Sequence, residues 1–98
     1  MRRVIKRARA TVDLANVWTY SFGQWGDGQA DFIIEELERR CAMLAEFPMT
    51  GADCDEISRG LRRLIVGHHL VFYFIREDWI EIVRVLHERM DATRQLEE

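Results

Sequence analysis

The chain contains little that would break up or staple a fold. A single proline and six glycines among 98 residues exclude a low-complexity or disordered chain, where those residues accumulate. There are only two cysteines, Cys41 on the apolar stripe of an expected helix and Cys54 in a polar stretch, which favours a reduced chain over a disulfide-stapled one. No apolar run approaches the ~20 residues that cross a bilayer, and the basic N-terminus leads into no signal-peptide core, so a cytoplasmic location is expected. A net charge of -3 opposes a general nucleic-acid binder held by phosphate contacts. Also missing are a glycine-rich phosphate loop, paired general-acid carboxylates and a nucleophile-base arrangement. His68, His69 and His87 have no cysteine or carboxylate at ligand spacing. Neither a cofactor nor a metal is expected.

Apolar patterning is what the chain does have. With 48% hydrophobic and 10% aromatic residues, residues 1–98 are expected to form one domain with a real core. The densest stretch, residues 60–91, holds three runs rich in Leu, Ile, Val and Phe, at 61–66, 69–75 and 79–87. Gly67-His68 and Arg76-Glu77-Asp78 separate them, which predicts three antiparallel strands joined by tight hairpins. Strand alternation sends Leu70, Phe72 and Phe74 to one face and Val71, Tyr73 and Ile75 to the other. The chain's own helices can cover one face. The second must be met by a partner, by the C-terminal tail or by another copy of the chain.

Upstream, Arg3-Val4-Ile5 predicts an edge strand with basic neighbours. Ala10, Leu14, Val17, Trp18, Phe22 and Trp25 recur at helical spacing and predict a helix over 9–25 whose aromatic residues enter the core, Trp25 at its end being a candidate for partial exposure. After Gly26, Asp27 is expected to cap a second helix with the buried stripe Ala30, Ile33, Ile34, Leu37, Cys41 and Leu44, running to about Phe47, where Pro48 stops it. Residues 49–58 read as a loop, and 88–98 as a short terminal helix or a tail that is loose until a partner binds. The expected fold class is α+β, a helical hairpin packed on one face of a small antiparallel sheet in the order β-α-α-β-β-β.

In that order, particular residues resemble the ParE toxins of the ParE/RelE toxin-antitoxin superfamily. They include Asp13-Leu14 and Trp18 to Tyr20, Trp25-Gly26 with Gln29-Ala30, and Leu44-Ala45 with Pro48 and Gly51. The most specific lie in the closing stretch: Gly60-Leu61-Arg62-Arg63, Gly67-His68-His69 leading to Phe72-Tyr73, Ile82 to His87, and Arg89-Met90-Asp91. The resemblance implies a cytoplasmic bacterial toxin that blocks DNA gyrase without chemistry of its own. It also implies a cognate ParD-like antitoxin, a ribbon-helix-helix dimer whose tail folds along the toxin.

The superfamily's RelE-like branch cuts messenger RNA on the ribosome, and this is the alternative reading. Arg62 and Arg89 fall where those toxins keep basic residues, but His69 replaces an arginine and Gln95 stands at the tyrosine position. Arg62, Arg63, His69, Tyr73, Arg84, Leu86, His87 and Arg89 are therefore candidates for contact with the antitoxin or the target, with no catalytic residue assigned. Arg84 is expected on the outer face of the sheet beside Ile82 and Leu86. The side chains of His68 and His69 are expected to diverge. Arg89 could instead pair with Glu88 or Asp91 and anchor the chain end.

Overall fold

The computed structural model describes residues 2–97. Its elements run β1 (Arg3–Lys6), α1 (Ala8–Trp25), α2 (Asp27–Met43), a short 3-10 turn (Pro48–Thr50), β2 (Ala52–Asp53), β3 (Leu61–Val66), β4 (His69–Ile75), β5 (Trp79–His87) and α3 (Ala92–Leu96). The three expected strands form an antiparallel meander, and the sheet order is β1-β5-β4-β3-β2. The sheet is mixed rather than wholly antiparallel, because β1 lies parallel to β5. The α1-α2 hairpin is the long crossover that a parallel neighbour needs. β2 was expected to be loop; two residues of it pair with Arg62 and Arg63.

The helices begin and end for local reasons. Arg7 closes the parallel ladder by donating its N–H to Ile82 O at 2.9 Å, and its own carbonyl takes the first helical bond, from Thr11 N at 3.2 Å. Strand therefore becomes helix with no loop between. Gly26 then serves both helices. Its N–H closes α1 on Phe22 O at 2.8 Å and its carbonyl opens α2 by accepting from Ala30 N at 3.1 Å, at a φ of 89° that favours glycine. Asp27 is thus the first helical residue and not the cap that was expected. Its carboxylate sits where the helix dipole favours negative charge. Regular α2 ends at Met43, four residues short of Phe47, because the chain ahead of Pro48 tightens into turns with bonds such as Ala45 N to Ala42 O at 3.2 Å.

The inner core lies between the hairpin and the sheet, with Leu14, Leu37, Cys41 and Leu44 against Leu64, Val71, Tyr73 and Ile82. Both cysteines are free and buried. Burial pushes the Cys41 thiol up to about 11, so it stays protonated at neutral pH.

A second, smaller core occupies the other face. Phe72, Leu61, Val83 and Leu86 are buried there beneath Cys54 and Ile57 of the loop after β2 and beneath Ala92 and Leu96 of α3. Of the alternatives for covering this face (a partner, the C-terminal tail or another copy), the tail takes the place: α3, together with the loop after β2, closes most of it. Ile82, expected on this outer face, points to the helices. The reason is a bulge: Phe72 faces Arg84 and Tyr73 faces Ile82, so Val83 is an extra residue on β5 and the alternation slips by one.

Gly51 shows how tightly the 3-10 turn is pressed onto β4. A Cβ there would lie 2.5 Å from the Tyr73 hydroxyl and 2.9 Å from Arg63 O. Gly51→Ala should cost about 1–3 kcal/mol by overpacking. Urea unfolding checks this, and an unchanged midpoint would contradict the contact.

Candidate functional site

The candidate residues divide into three groups by what surrounds them. Tyr73 is fully buried. Its hydroxyl donates to Pro48 O at 2.7 Å and accepts from Gly51 N at 2.9 Å. Beside it, Arg62 donates to Met49 O at 3.2 Å and to Gly51 O. Both side chains therefore hold the turn over the sheet's edge. Arg63 faces the other way, on the outer face opposite Phe72.

Arg84 and Leu86 form the second group. Leu86 is buried in the outer core. Arg84 is 6% exposed and reaches past the edge of β5 to α1, where Nε and Nη2 donate to the two carboxylate oxygens of Asp13 at 2.8 and 3.0 Å. Its Nη1 donates to Gln95 O of α3 at 3.0 Å. Asp13 Oδ2 also accepts the Val85 N–H at 2.9 Å, completing the edge of β5 beyond the end of β1. The charge expected among outer-face apolar residues is thus a buried clamp between α1, β5 and α3.

Asp13 was not among the expected functional residues, although a signal was present. It falls in phase with Ala10 and Leu14, on the stripe that must be buried, and a buried carboxylate needs a cation. Removing one partner leaves an uncompensated charge, so Asp13→Ala should destabilise the fold by about 3–5 kcal/mol. Asp13→Leu with Arg84→Met should cost less, about 1–3 kcal/mol for the orphaned Val85 N–H. Chemical denaturation of the two variants checks the order, and a double variant less stable than the single one would refute it.

The histidines and Arg89 lie at the opposite end of the sheet. His69 pairs in register with His87, their rings 5.4 Å apart edge to face, and His68 lies 6.4 Å from His87. His68 and His69, expected to diverge, both flank His87. His68 Nδ1 lies 2.8 Å from Glu88 Oε1, and His87 Nδ1 accepts the Arg89 N–H at 3.1 Å. Arg89 is exposed, and no described His, Cys, Asp or Glu cluster has the makings of a metal site. Tyr73 sits four residues along β4 from His69, roughly 13 Å at strand spacing, and Arg62 is its partner on β3. The basic and proton-transferring candidates are therefore spread over two ends of the sheet.

Burial, then the neighbouring His87 and His68, lower the pKa of His69 below its ordinary 6.5. The unfolded chain thus binds a proton more readily, and stability held above pH 6.5 is lost as pH falls toward the folded value. Thermal melts between pH 7.5 and 5.5 should show a decline that His69→Gln reduces. An identical decline in the variant would assign it to other groups.

Most of the exposed aromatic surface lies on the helical hairpin and not on the sheet. Trp18 and Phe22 were expected in the core and Trp25 was a candidate for partial exposure; Phe22 and Trp25 are 49% and 61% exposed. Trp18 is half-buried, stacks on Phe22 at 5.1 Å and donates its indole N–H to Asp31 at 2.8 Å. The stripe that does face the core is Ala10, Asp13, Leu14 and Ser21, one step round the helix. On the other flank of the hairpin, Tyr20, Trp25 and Phe32 line a cavity of about 350 Å³ whose far wall is His68, His69 and His87.

Comparison with known proteins now places this architecture. The family model described as ParE toxin of type II toxin-antitoxin system, parDE, matches residues 4–92. This chain belongs to the ParE toxin family. Toxin ParE1 of Caulobacter vibrioides is 40% identical over 94 residues, covering 96% of this chain and 95% of that one. Toxin ParE1 of Mycobacterium tuberculosis is 38% identical over 95 residues, covering 96% and 97%. Toxin ParE of Escherichia coli is 34% identical over 97 residues, covering 98% and 94%. Among solved structures, a chain of a chromosomal ParDE TA system from P. aeruginosa superposes with a TM-score of 0.79 over 89% of this chain and 96% of its own, at 17% identity, a likeness of fold alone. As a ParE toxin of a type II system, the protein has an antitoxin partner with which it forms a complex. No helix among the described residues is long and apolar enough to cross a membrane.

Proposed function

We propose that this ParE toxin acts in the cytoplasm by binding and inhibiting DNA gyrase, without chemistry of its own, and that a ParD-like ribbon-helix-helix antitoxin silences it. Family membership over residues 4–92 carries the reading, since gyrase inhibition is the general role of ParE toxins. Action by docking is supported by the exposed aromatic residues of the hairpin, because contiguous apolar surface of that kind marks partner sites. The placement of the polar residues agrees with it. The Tyr73 hydroxyl is occupied on both sides by backbone, Arg84 is spent on Asp13, and Arg89 stands at the other end of the sheet from Arg62. General acid-base and phosphorane-stabilising groups need to converge on one reacting phosphate. Arg63, His69, His87 and Arg89 remain candidates for partner contact, whereas Arg62, Tyr73, Arg84 and Leu86 would act through the shape they support.

Purified protein free of antitoxin should inhibit gyrase supercoiling and accumulate cleaved DNA in the presence of ATP, and adding the antitoxin should restore supercoiling. Normal supercoiling at a large molar excess of toxin would overturn the target assignment. Messenger RNA should stay intact in a translating extract. Cleavage lost in Arg89→Ala would transfer the protein to the ribonuclease reading.

A further inference from the structure

The hairpin combines exposed aromatic rings with an unusual charge pattern. Residues 10–38 contain Asp13, Asp27, Asp31, Glu35, Glu36 and Glu38 but no lysine or arginine. Arg9, Arg39 and Arg40 flank this span within the same hairpin, and cations answer three of the carboxylates: Arg84 binds Asp13, Arg39 binds Glu36 and Lys6 binds Glu38. Asp27, Asp31 and Glu35 are exposed and have no ion-pair partner among the described residues. They sit on α2, whose neighbouring face lines the cavity with Gln29, Phe32, Ile33 and Glu36. Tyr20, Trp25 and Phe32, each about 60% exposed, line it. The Tyr20 and Trp25 rings stand 6.4 Å apart at 81°, so one ring's face and the other's edge meet at a corner.

We propose that this aromatic corner is a receptor for a lysine or arginine side chain on a segment of a protein partner. The inference rests on the reading above that the toxin works by docking to protein, and it specifies the chemistry of one anchor. A cation over aromatic faces is attracted by their quadrupoles, its methylene stem covers the apolar walls, and Glu36 in the lining, with the exposed carboxylates on the adjacent face of α2, supplies a field of matching sign. Across the cavity His69, its pKa lowered by burial and the neighbouring imidazoles, is neutral at pH 7 and adds no repulsion. The same charges oppose a nucleic acid or an anionic membrane surface as occupant. The sign is opposite to that expected from the basic residues of the sheet, which would receive an acidic segment.

The test uses N-acetyl-lysine methylamide and its uncharged counterpart, N-acetyl-norleucine methylamide, titrated into the isotopically labelled full chain at matched ionic strength and pH 7.5. The lysine probe should shift the Trp25 indole resonance and bind about 2–5-fold more tightly than norleucine for each ring it faces. The preference should fall as salt is raised. Trp25→Leu, which keeps an apolar wall but removes the π-face, should lower the preference, and Trp25→Phe should retain most of it. Because the assay contains neither gyrase nor antitoxin, its failure would leave the target assignment standing, and failure of gyrase inhibition would leave this site standing. Equal or tighter norleucine binding, shifts confined to other residues, or self-association that covers Trp25 at the assay concentration would each overturn the proposal.

Discussion

The ion pair between Asp13 and Arg84 is the constraint on which the arrangement of this small domain turns. β1 runs out at Lys6, and from there the edge of β5 has backbone groups with no neighbouring strand. Asp13 Oδ2 takes the Val85 N–H at 2.9 Å while the same carboxylate holds the Arg84 guanidinium, which in turn binds Gln95 O of α3. One carboxylate thus substitutes for a strand, neutralises a buried cation and fixes the rotation of α1. Burying two charges is costly, and a buried pair is weak evidence for stability by itself. Its consequence here is orientational: with Asp13 turned to β5, the helix face carrying Trp18, Phe22 and Trp25 turns outward.

The same rotation determines where the protein can meet others. The sheet's outer face, richest in Phe and Leu by sequence, is closed by the loop after β2 and by α3. The hairpin, which reads as an ordinary core element, presents the open rings. Between residues 10 and 38 its exposed surface is aromatic and acidic together, while basic side chains stand at its two ends (Arg9, Arg39, Arg40), on β1 and around β3. A partner that engages both regions needs charge of both signs along its length, which suits a segment that wraps the toxin better than one that caps it.

Much of the fold was legible. Period-two alternation gave the meander and the facing of Leu70 to Ile75, glycine and proline gave the breaks at Gly26, Gly67 and Pro48, and helical spacing gave two helices within a few residues of their bounds. The candidate site was less so, because its residues were judged by chemical type. Tyr73, Arg62 and Arg84 look reactive as letters and serve as struts, since an arginine or tyrosine in a strand carries no local mark of which backbone carbonyls will come within reach. The bulge at Val83 likewise leaves no trace in the residues themselves. It redirects Ile82 inward and puts Val83 and Arg84 on one side.

Local pattern determined the element order, the hairpins and the family, because each depends on interactions between residues close along the chain or on motifs at set spacing. Only the tertiary structure decided which aromatic residues are core. Helical periodicity defines a stripe but not its rotation, and Ala10, Leu14, Trp18 and Trp25 satisfy the spacing as well as Ala10, Asp13, Leu14 and Ser21 do. That ambiguity is resolved by Arg84, 71 residues from Asp13, through a charge that can be buried only if α1 turns its carboxylate toward it.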